Sequence, residues 1–311
     1  MIEGQEGVTW DQWVALAETC ERSGIETLFR SDHYASESFP HERAAHDAWT
    51  TLAGLAARTT KLRFGTLVSP VMFRHPSLLA NAVTTVDHIS GGRVELGVGA
   101  GWMELEHRAF GFTFPPLRER LARLAEQIEI VHRLWTEDHV TFTGTYYALE
   151  DCPAIPKPVQ KPRPPLLVGG RAHPGTANPA ARFADEYNVI GGSADEYAEA
   201  RRSLDAACER AGRDPKSLRM SVMTGFLLGS DEADLRDKAR ASLERWGATL
   251  SPEEAVERYR GRGTAGTPDE FVDGLRRLED VGVERIMLQH IRHDDLETVE
   301  LLGREIVPRV A

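Results

Sequence analysis

The chain is poor in the patterns that announce several common chemistries. Its three cysteines, Cys20, Cys152 and Cys208, stand far apart with no C-x-x-C pair. Neither a disulfide framework nor a thiolate zinc site is indicated, and a reduced compartment fits. Eleven histidines include no H-E-x-x-H, which removes the commonest helix-borne zinc signature. G-x-S-x-G is absent, so a covalent acyl-enzyme mechanism has no support. No apolar run approaches the ~20 residues that cross a bilayer. The opening MIEGQEGVT lacks the basic start and apolar core of a secretory signal, so a cytoplasmic protein without membrane attachment is expected. Basic charge is the scarcer sign: 48 acidic against 37 basic side chains leave −11, with no basic block. A nucleic-acid partner would bind against that field and is not expected.

What is present is ordinary for a globular protein: 311 residues, 41% hydrophobic, long enough for one barrel or two smaller domains. Short apolar or β-branched runs alternate with longer stretches of helical spacing. The expected strands are Glu26–Arg30, Lys61–Val68, Arg93–Val98, Pro165–Val168, Tyr187–Ile190, Arg219–Leu228 and Glu284–Gln289. Leu117, Leu121, Leu124, Ile128, Val131 and Trp135 step by three or four and form one apolar helix stripe. Capping-box spacing marks helix starts at Thr9/Gln12, Ser193/Glu196, Ser251/Glu254 and Thr267/Glu270. Gly24, Gly212 and Gly282 mark helix ends.

The first helix, Trp10–Arg22, precedes the first clear strand, so Met1–Gly4 is the remnant from which an eighth strand must be built. Eight strand and helix pairs make an α/β chain of the (β/α)8 TIM-barrel class; a doubly wound open sheet is the alternative. With so short a first strand, a late start of the chain and imperfect closure on that side are expected. Two segments interrupt the rhythm, one after the fourth helix and one after the seventh strand. Residues 136–164 hold a hairpin, VTFTGTYYAL, turning near Gly144, then six prolines from Pro153 to Pro165. Residues 231–267 are polar, contain GRGTAG and show no strong apolar stripe, which suggests a mobile cover over one barrel end or a solvated connection. The whole chain, 1–311, is read as one domain.

Ligands of parallel α/β proteins sit at the carboxyl ends of the strands. There Asp32-His33 is the one strand-end histidine beside a carboxylate, a pair able to handle a proton near neutral pH. A helix-capping Asp beside a surface His is the plainer reading, and adjacent residues can point in opposite directions. Gly97-Val-Gly-Ala-Gly101 invites a dinucleotide reading, but its G-x-G-x-G spacing is equally that of a crowded strand end. The pairs Gly169-Gly170 and Gly191-Gly192 offer backbone N–H groups to an anion, or are simply turns.

Three stretches together resemble the bacterial luciferase-like superfamily. They are SDHY at 31–34, ARTTKLRFGTLVSPVMFRHPSLLANAVTTVDHISGGRVELGVGAGW at 57–102 and PKPVQKPRPPLLVGG at 156–170. Glu106-His107 and GTPDEFVDGLRRLEDVGVERIMLQ further resemble its deazaflavin branch, which uses coenzyme F420 rather than FMN. The resemblance implies an eight-stranded barrel with a flavin or deazaflavin ring in its mouth, and hydride transfer to or from a small organic substrate.

Carried onto this chain, it places Asp32 and His33 near the reactive ring, with His33 stabilising or protonating the substrate. Leu67-Val68 becomes a cis peptide backing the ring, with Thr66 beside it. Gly99 and Gly101 pass beneath the ring or ribityl chain, and Gly169, Gly170, Gly191 and Gly192 face the phosphate. It further implies a homodimer, and for the FMN alternative, a luciferase-like monooxygenase, a reductase partner supplying reduced flavin. A non-catalytic flavin-binding barrel is a third reading.

The sugar-phosphate dehydrogenases of the deazaflavin branch carry a Trp and a Glu where this chain has Glu37 and Trp102, which disfavours glucose-6-phosphate as substrate. Because F420 has an acidic tail, basic residues such as Arg63, Arg74 or Arg171 are expected to offset the net charge of −11.

Overall fold

The computed structural model of the chain describes residues 1–36 and 43–310, so Glu37 lies outside the described residues. The strands are β1 Thr27–Arg30, β2 Arg63–Thr66, β3 Ser69–Pro70, β4 Val94–Gly99, β5 His139–Thr143, β6 Ala148–Pro153, β7 Leu166–Gly170, β8 Glu186–Ile190, β9 Arg219–Gly225, β10 Leu227–Leu228, β11 Ala265–Gly266 and β12 Arg285–Gln289. The helices are α1 Trp10–Arg22, α2 Ala48–Ala56, α3 Pro76–Ser90, α4 Glu104–Ala109, α5 Leu117–Thr136, α6 Pro174–Phe183, α7 Ala194–Arg210, α8 Glu232–Trp246, α9 Pro252–Arg260, α10 Pro268–Glu279 and α11 Leu296–Leu301. All four expected capping boxes form, at Thr9, Ser193, Ser251 and Thr267.

The parallel strands follow the order β1-β2-β4-β7-β8-β9-β12, with β3 beside β4, and the helices lie outside. This is a nearly closed (β/α)8 barrel, not an open sheet. Closure comes from two residues. Met1 exchanges backbone hydrogen bonds with β12, its amine donating to the Leu288 carbonyl at 2.8 Å and its carbonyl accepting from the His290 N–H at 2.9 Å. Ile2 does the same with β1, donating to the Phe29 carbonyl at 3.0 Å and accepting from the Ser31 N–H at 3.1 Å. Beyond this stub β1 and β12 do not pair, and a cavity of about 850 Å³ separates them, lined by Leu16, Cys20, Leu28, Leu275, Met287 and Ile306 among others.

The expected hairpin is β5-β6, an antiparallel pair on the barrel's outside. The stripe on α5 holds from Leu124 through Trp135, but Leu117 at its first turn is exposed.

Residues 231–267 are not a merely solvated connection. Helices α8 and α9 bury Leu235, Ala239, Ala255 and Val256 against Leu227 and Ala265, forming their own small core. The GRGTAG stretch is packed as well: it contributes β11, which pairs with β10, and Gly263 meets the Gly274 backbone so closely that an added Cβ would lie 2.8 Å from the Gly274 oxygen. The apolar positions are few and mostly small, too sparse for a readable stripe yet sufficient when two short helices face each other.

Inside the barrel, at its N-terminal end, the plug is ionic. Arg285 donates to Glu95 at 2.7 Å, Glu186 at 3.2 Å and Thr27 at 2.6 Å, and Arg63 holds the other side of Glu95 at 2.8 Å. Arg63 is thus committed at the opposite end from the carboxyl-end mouth and offers nothing to an acidic cofactor tail.

Candidate active site

The interruption between β2 and β3 shapes the mouth. Gly65 pairs with Glu95 and Ser69 with Val98, so this edge spends four residues where β4 spends three. The extra residue is a bulge, and within it the Leu67–Val68 peptide is cis, as the resemblance implies. Val68 is thereby thrust across the neighbouring strands. A Cβ at Gly97 would lie 3.1 Å from a Val68 methyl and 2.1 Å from the Thr66 carbonyl oxygen; at Gly99 and Gly169 the Val68 methyls would be 2.6 and 3.0 Å away. The glycines of β4 and β7 therefore make room for Val68, and it is Val68, half-buried, that stands between Gly99 or Gly169 and any ligand.

Asp32 and His33 leave β1 in different directions. Asp32 is buried, and its Oδ2 accepts from the Ser69 hydroxyl at 2.6 Å and from Arg74. Thr66 is tied in through Ser69 at 3.3 Å and donates to the Gly97 carbonyl at 2.9 Å. Arg74 also donates to the Tyr34 hydroxyl at 2.9 Å and to Asp47 at 2.6 Å. Burial pushes the Asp47 carboxyl up, but the Thr50 N–H and the Arg74 charge outweigh it and bring its pKa to about 2. Arg74 is fully spoken for, and cannot serve as a free cation for an acidic tail. One atom of this network is unsatisfied: Asp32 Oδ1 is buried without a partner.

His33 answers to Glu106 instead. Its Nδ1 lies 2.8 Å from Glu106 Oε2, while Oε1 accepts from the Tyr34 N–H and, at 3.1 Å, the Ala35 N–H. Burial alone would lower the His33 pKa; the hydrogen bond and charge of Glu106 overcome it, and the pKa is raised, with Glu3 and Asp32 adding smaller contributions. The carboxylate that tunes His33 is thus Glu106, 73 residues away, rather than the adjacent Asp32. With Nδ1 engaged, Nε2 is the ring nitrogen available to a substrate. Trp102 closes one side, its ring centroid 5.8 Å from that of His33 at 74°. It is reached through Gly101, whose φ of +74° turns the chain there.

The two glycine pairs behave differently. Gly170 is crowded, since a Cβ would lie 2.5 Å from the Tyr187 hydroxyl. Gly191 has φ +43° and open space at its Cβ position, whereas Gly192 faces Glu196 and Tyr197. Arg171 and Arg262 are close enough to Glu196 to depress its pKa, after the larger effect of the Ser193 hydrogen bonds, and neither has an ion pair among the described residues. The α6 N-terminus nearby lacks a side-chain cap. An acidic group would find two cations here, although the Gly191 N–H is already given to the Met223 carbonyl and the Thr176 and Ala177 N–H groups to the His173 carbonyl.

Sequence reasoning named Asp32 and His33, and the resemblance implied the cis peptide that the structure has. It did not single out Ser69 as Asp32's partner, nor Asp47 and Tyr34 as those of Arg74. Glu106 was visible only as part of the resemblance, since nothing in its spacing links it to His33.

Residues 2–285 match the family model described as luciferase-like monooxygenase. The chain is 31% identical to the F420-dependent glucose-6-phosphate dehydrogenase of Microbacterium testaceum, over 93% of this chain and 90% of the relative. It is 27% identical to the FMNH2-dependent dimethylsulfone monooxygenase of Pseudomonas putida, over 95% and 86%. Among solved structures, monooxygenase RslO1 from Streptomyces bottropensis superposes with a TM-score of 0.82 at 25% identity, covering 97% of this chain and 94% of that one.

Proposed function

The chain belongs to the luciferase-like monooxygenase family, and on that premise we propose that it is an F420-dependent oxidoreductase moving a hydride between the deazaflavin and a small organic substrate. The observation that carries the reading is the His33–Glu106 pair at the end of β1, beside a buried Asp32 oxygen with no partner and across from the Val68 bulge. Relatives named as F420-dependent dehydrogenases add to it.

Bound F420 supplies a two-electron hydride acceptor in one direction and a donor in the other. Val68, with Thr66 and Leu67, would back its ring, seated in the room that Gly99 leaves for it; Asp32 Oδ1 would accept a hydrogen bond; Gly101 would turn the chain clear of the ring edge. Arg171 and Arg262, near the open Gly191 turn, would receive phosphate and acidic tail, whereas Gly169 lies behind Val68, Gly170 is crowded by Tyr187 and Gly192 faces Glu196 and Tyr197. As a substrate alcohol loses its C–H hydride and forms C=O, His33 Nε2 takes the hydroxyl proton; in reduction it returns that proton to the carbonyl oxygen. Glu106 keeps Nδ1 protonated so that Nε2 is free to accept.

One barrel domain with added segments 136–164 and 231–267, the latter bordering a cavity of about 390 Å³ at the end of β12, belongs to the same proposal. So does a cytoplasmic location, in keeping with three free cysteines; no helix among the described residues is long and apolar enough to cross a membrane. A homodimer is supported by Leu78 and Ile89, exposed on one side of α3. A partner reductase regenerating reduced cofactor completes the picture.

The test is titration of the purified protein with F420 and, separately, FMN, following cofactor oxidation state with and without oxygen. The expected result is F420 binding and oxygen-independent hydride exchange. Tight FMN binding with no F420 binding would favour the monooxygenase chemistry of the FMN-using relatives instead.

A further inference from the structure

Of the twelve large apolar side chains exposed among the described residues, four, Trp102, Leu105, Phe110 and Leu117, fall within the one stretch that follows β4. Two are tied to the reaction centre by contact. Trp102, 55% exposed, packs its ring against His33, and Phe110, 54% exposed, lies 5.4 Å from the ring of Tyr34, the residue after His33. Scattered exposed hydrophobics are normal; a cluster at a mouth points to a ligand surface. With His33 Nδ1 held by Glu106, a molecule approaching Nε2 meets the exposed indole beside it.

Charge points the same way. The groups acting on His33 are the acids Glu106, Glu3 and Asp32. The guanidinium at the site, Arg74, is consumed by Asp32, Tyr34 and Asp47. Among the described residues, a phosphorylated or carboxylated substrate would find no free counter-ion next to His33, and the carboxylates of Glu106, Glu3 and Asp32 act on it.

We propose that Trp102 is the substrate-facing wall of this site and sets its specificity. The substrate is an uncharged molecule with a flat or cyclic apolar skeleton next to the reacting carbon, of the class of aryl or alicyclic secondary alcohols and their ketones. This rests on the reading that His33 handles the proton of hydride transfer. In oxidation the carbinol C–H breaks with its electron pair passing to oxidised F420, the O–H proton goes to His33, and the ketone leaves; reduction is the reverse. A sugar phosphate is thereby disfavoured, although relatives are named for acting on one.

Two measurements test the proposal. The first needs neither cofactor nor turnover: acetophenone is titrated into wild-type protein and Trp102→Phe, following tryptophan fluorescence. A saturable quenching component that disappears in Trp102→Phe is expected. The second compares 1-phenylethanol and glucose 6-phosphate as substrates with F420. Trp102→Glu is expected to raise KM for 1-phenylethanol about ten-fold or more with kcat changed less than about three-fold, and Trp102→Phe, which keeps an apolar ring, to raise it less. Unsaturable quenching, an unchanged KM in Trp102→Glu, or preference for glucose 6-phosphate would each overturn the proposal. Failure of hydride exchange with every substrate would instead count against the cofactor assignment, and the quenching result then decides the role of Trp102 alone.

Discussion

Inside the protein Glu106 is surrounded by donors: the backbone N–H groups of Tyr34 and Ala35 reach one oxygen and His33 Nδ1 the other. That arrangement fixes the imidazole tautomer, the role a buried carboxylate plays beside many catalytic histidines. Replacing Glu106 by Gln makes the consequence visible. The amide oxygen can still accept from the two backbone groups, but the amide nitrogen then donates to Nδ1 and leaves the proton on Nε2, where an alcohol proton must go. Alcohol oxidation by Glu106→Gln is therefore expected to fall about 10²-fold or more. Losing the negative charge also lowers the His33 pKa, so the rising limb of the pH–rate profile moves to lower pH. A steady-state pH series on wild type and variant measures both, and an unmoved limb with unchanged rate would remove Glu106 from the mechanism. Why the sequence paired His33 with Asp32 instead is simple: alternation sends neighbours to opposite sides, and proximity in the chain is a poor guide to proximity at a strand end.

Among the elements, the broken strand β2-β3 does most to define the site, and its neighbours are glycine for that reason. Gly97 looked like half of a dinucleotide motif; its Cα faces the Thr66 carbonyl and Val68, with no room for a ligand. Gly97→Ala would place a carbon 2.1 Å from a backbone oxygen that cannot rotate away. A loss of about 2–3 kcal/mol is expected in urea unfolding, in the range of overpacked cores. Gly261→Ala, with φ −59° and nothing closer than 3.5 Å, is the control expected to change little. Equal stability of the two variants would contradict the packing account. The capped helices were legible before any coordinates because Ser, Thr and Pro at helix starts act through local hydrogen bonds. The packed unit at 231–267 was not, since its core depends on two helices and two short strands meeting, which no single stretch of sequence displays.

For the molecule as a whole, an uneven distribution of charge reconciles a net −11 with a proposed acidic cofactor. Basic groups at the N-terminal plug and around Asp32 are neutralised by carboxylates, whereas Arg171 and Arg262 beside Gly191 and Gly192 have no ion pair among the described residues. The barrel was legible as a count of strands and as a resemblance. Its closure was legible only in outline, as a short first strand and imperfect closure on that side: two residues bridge β1 and β12 through four backbone hydrogen bonds, beside a cavity between the two strands. All of these features serve one claim, that the fold delivers His33 Nε2 to a substrate beside a hydride carrier. The most direct measurement is single-turnover hydride transfer by His33→Ala beside its equilibrium affinity for F420. The account predicts a rate lower by about 10²-fold or more with affinity retained; an unchanged rate on a substrate that wild type turns over would contradict it.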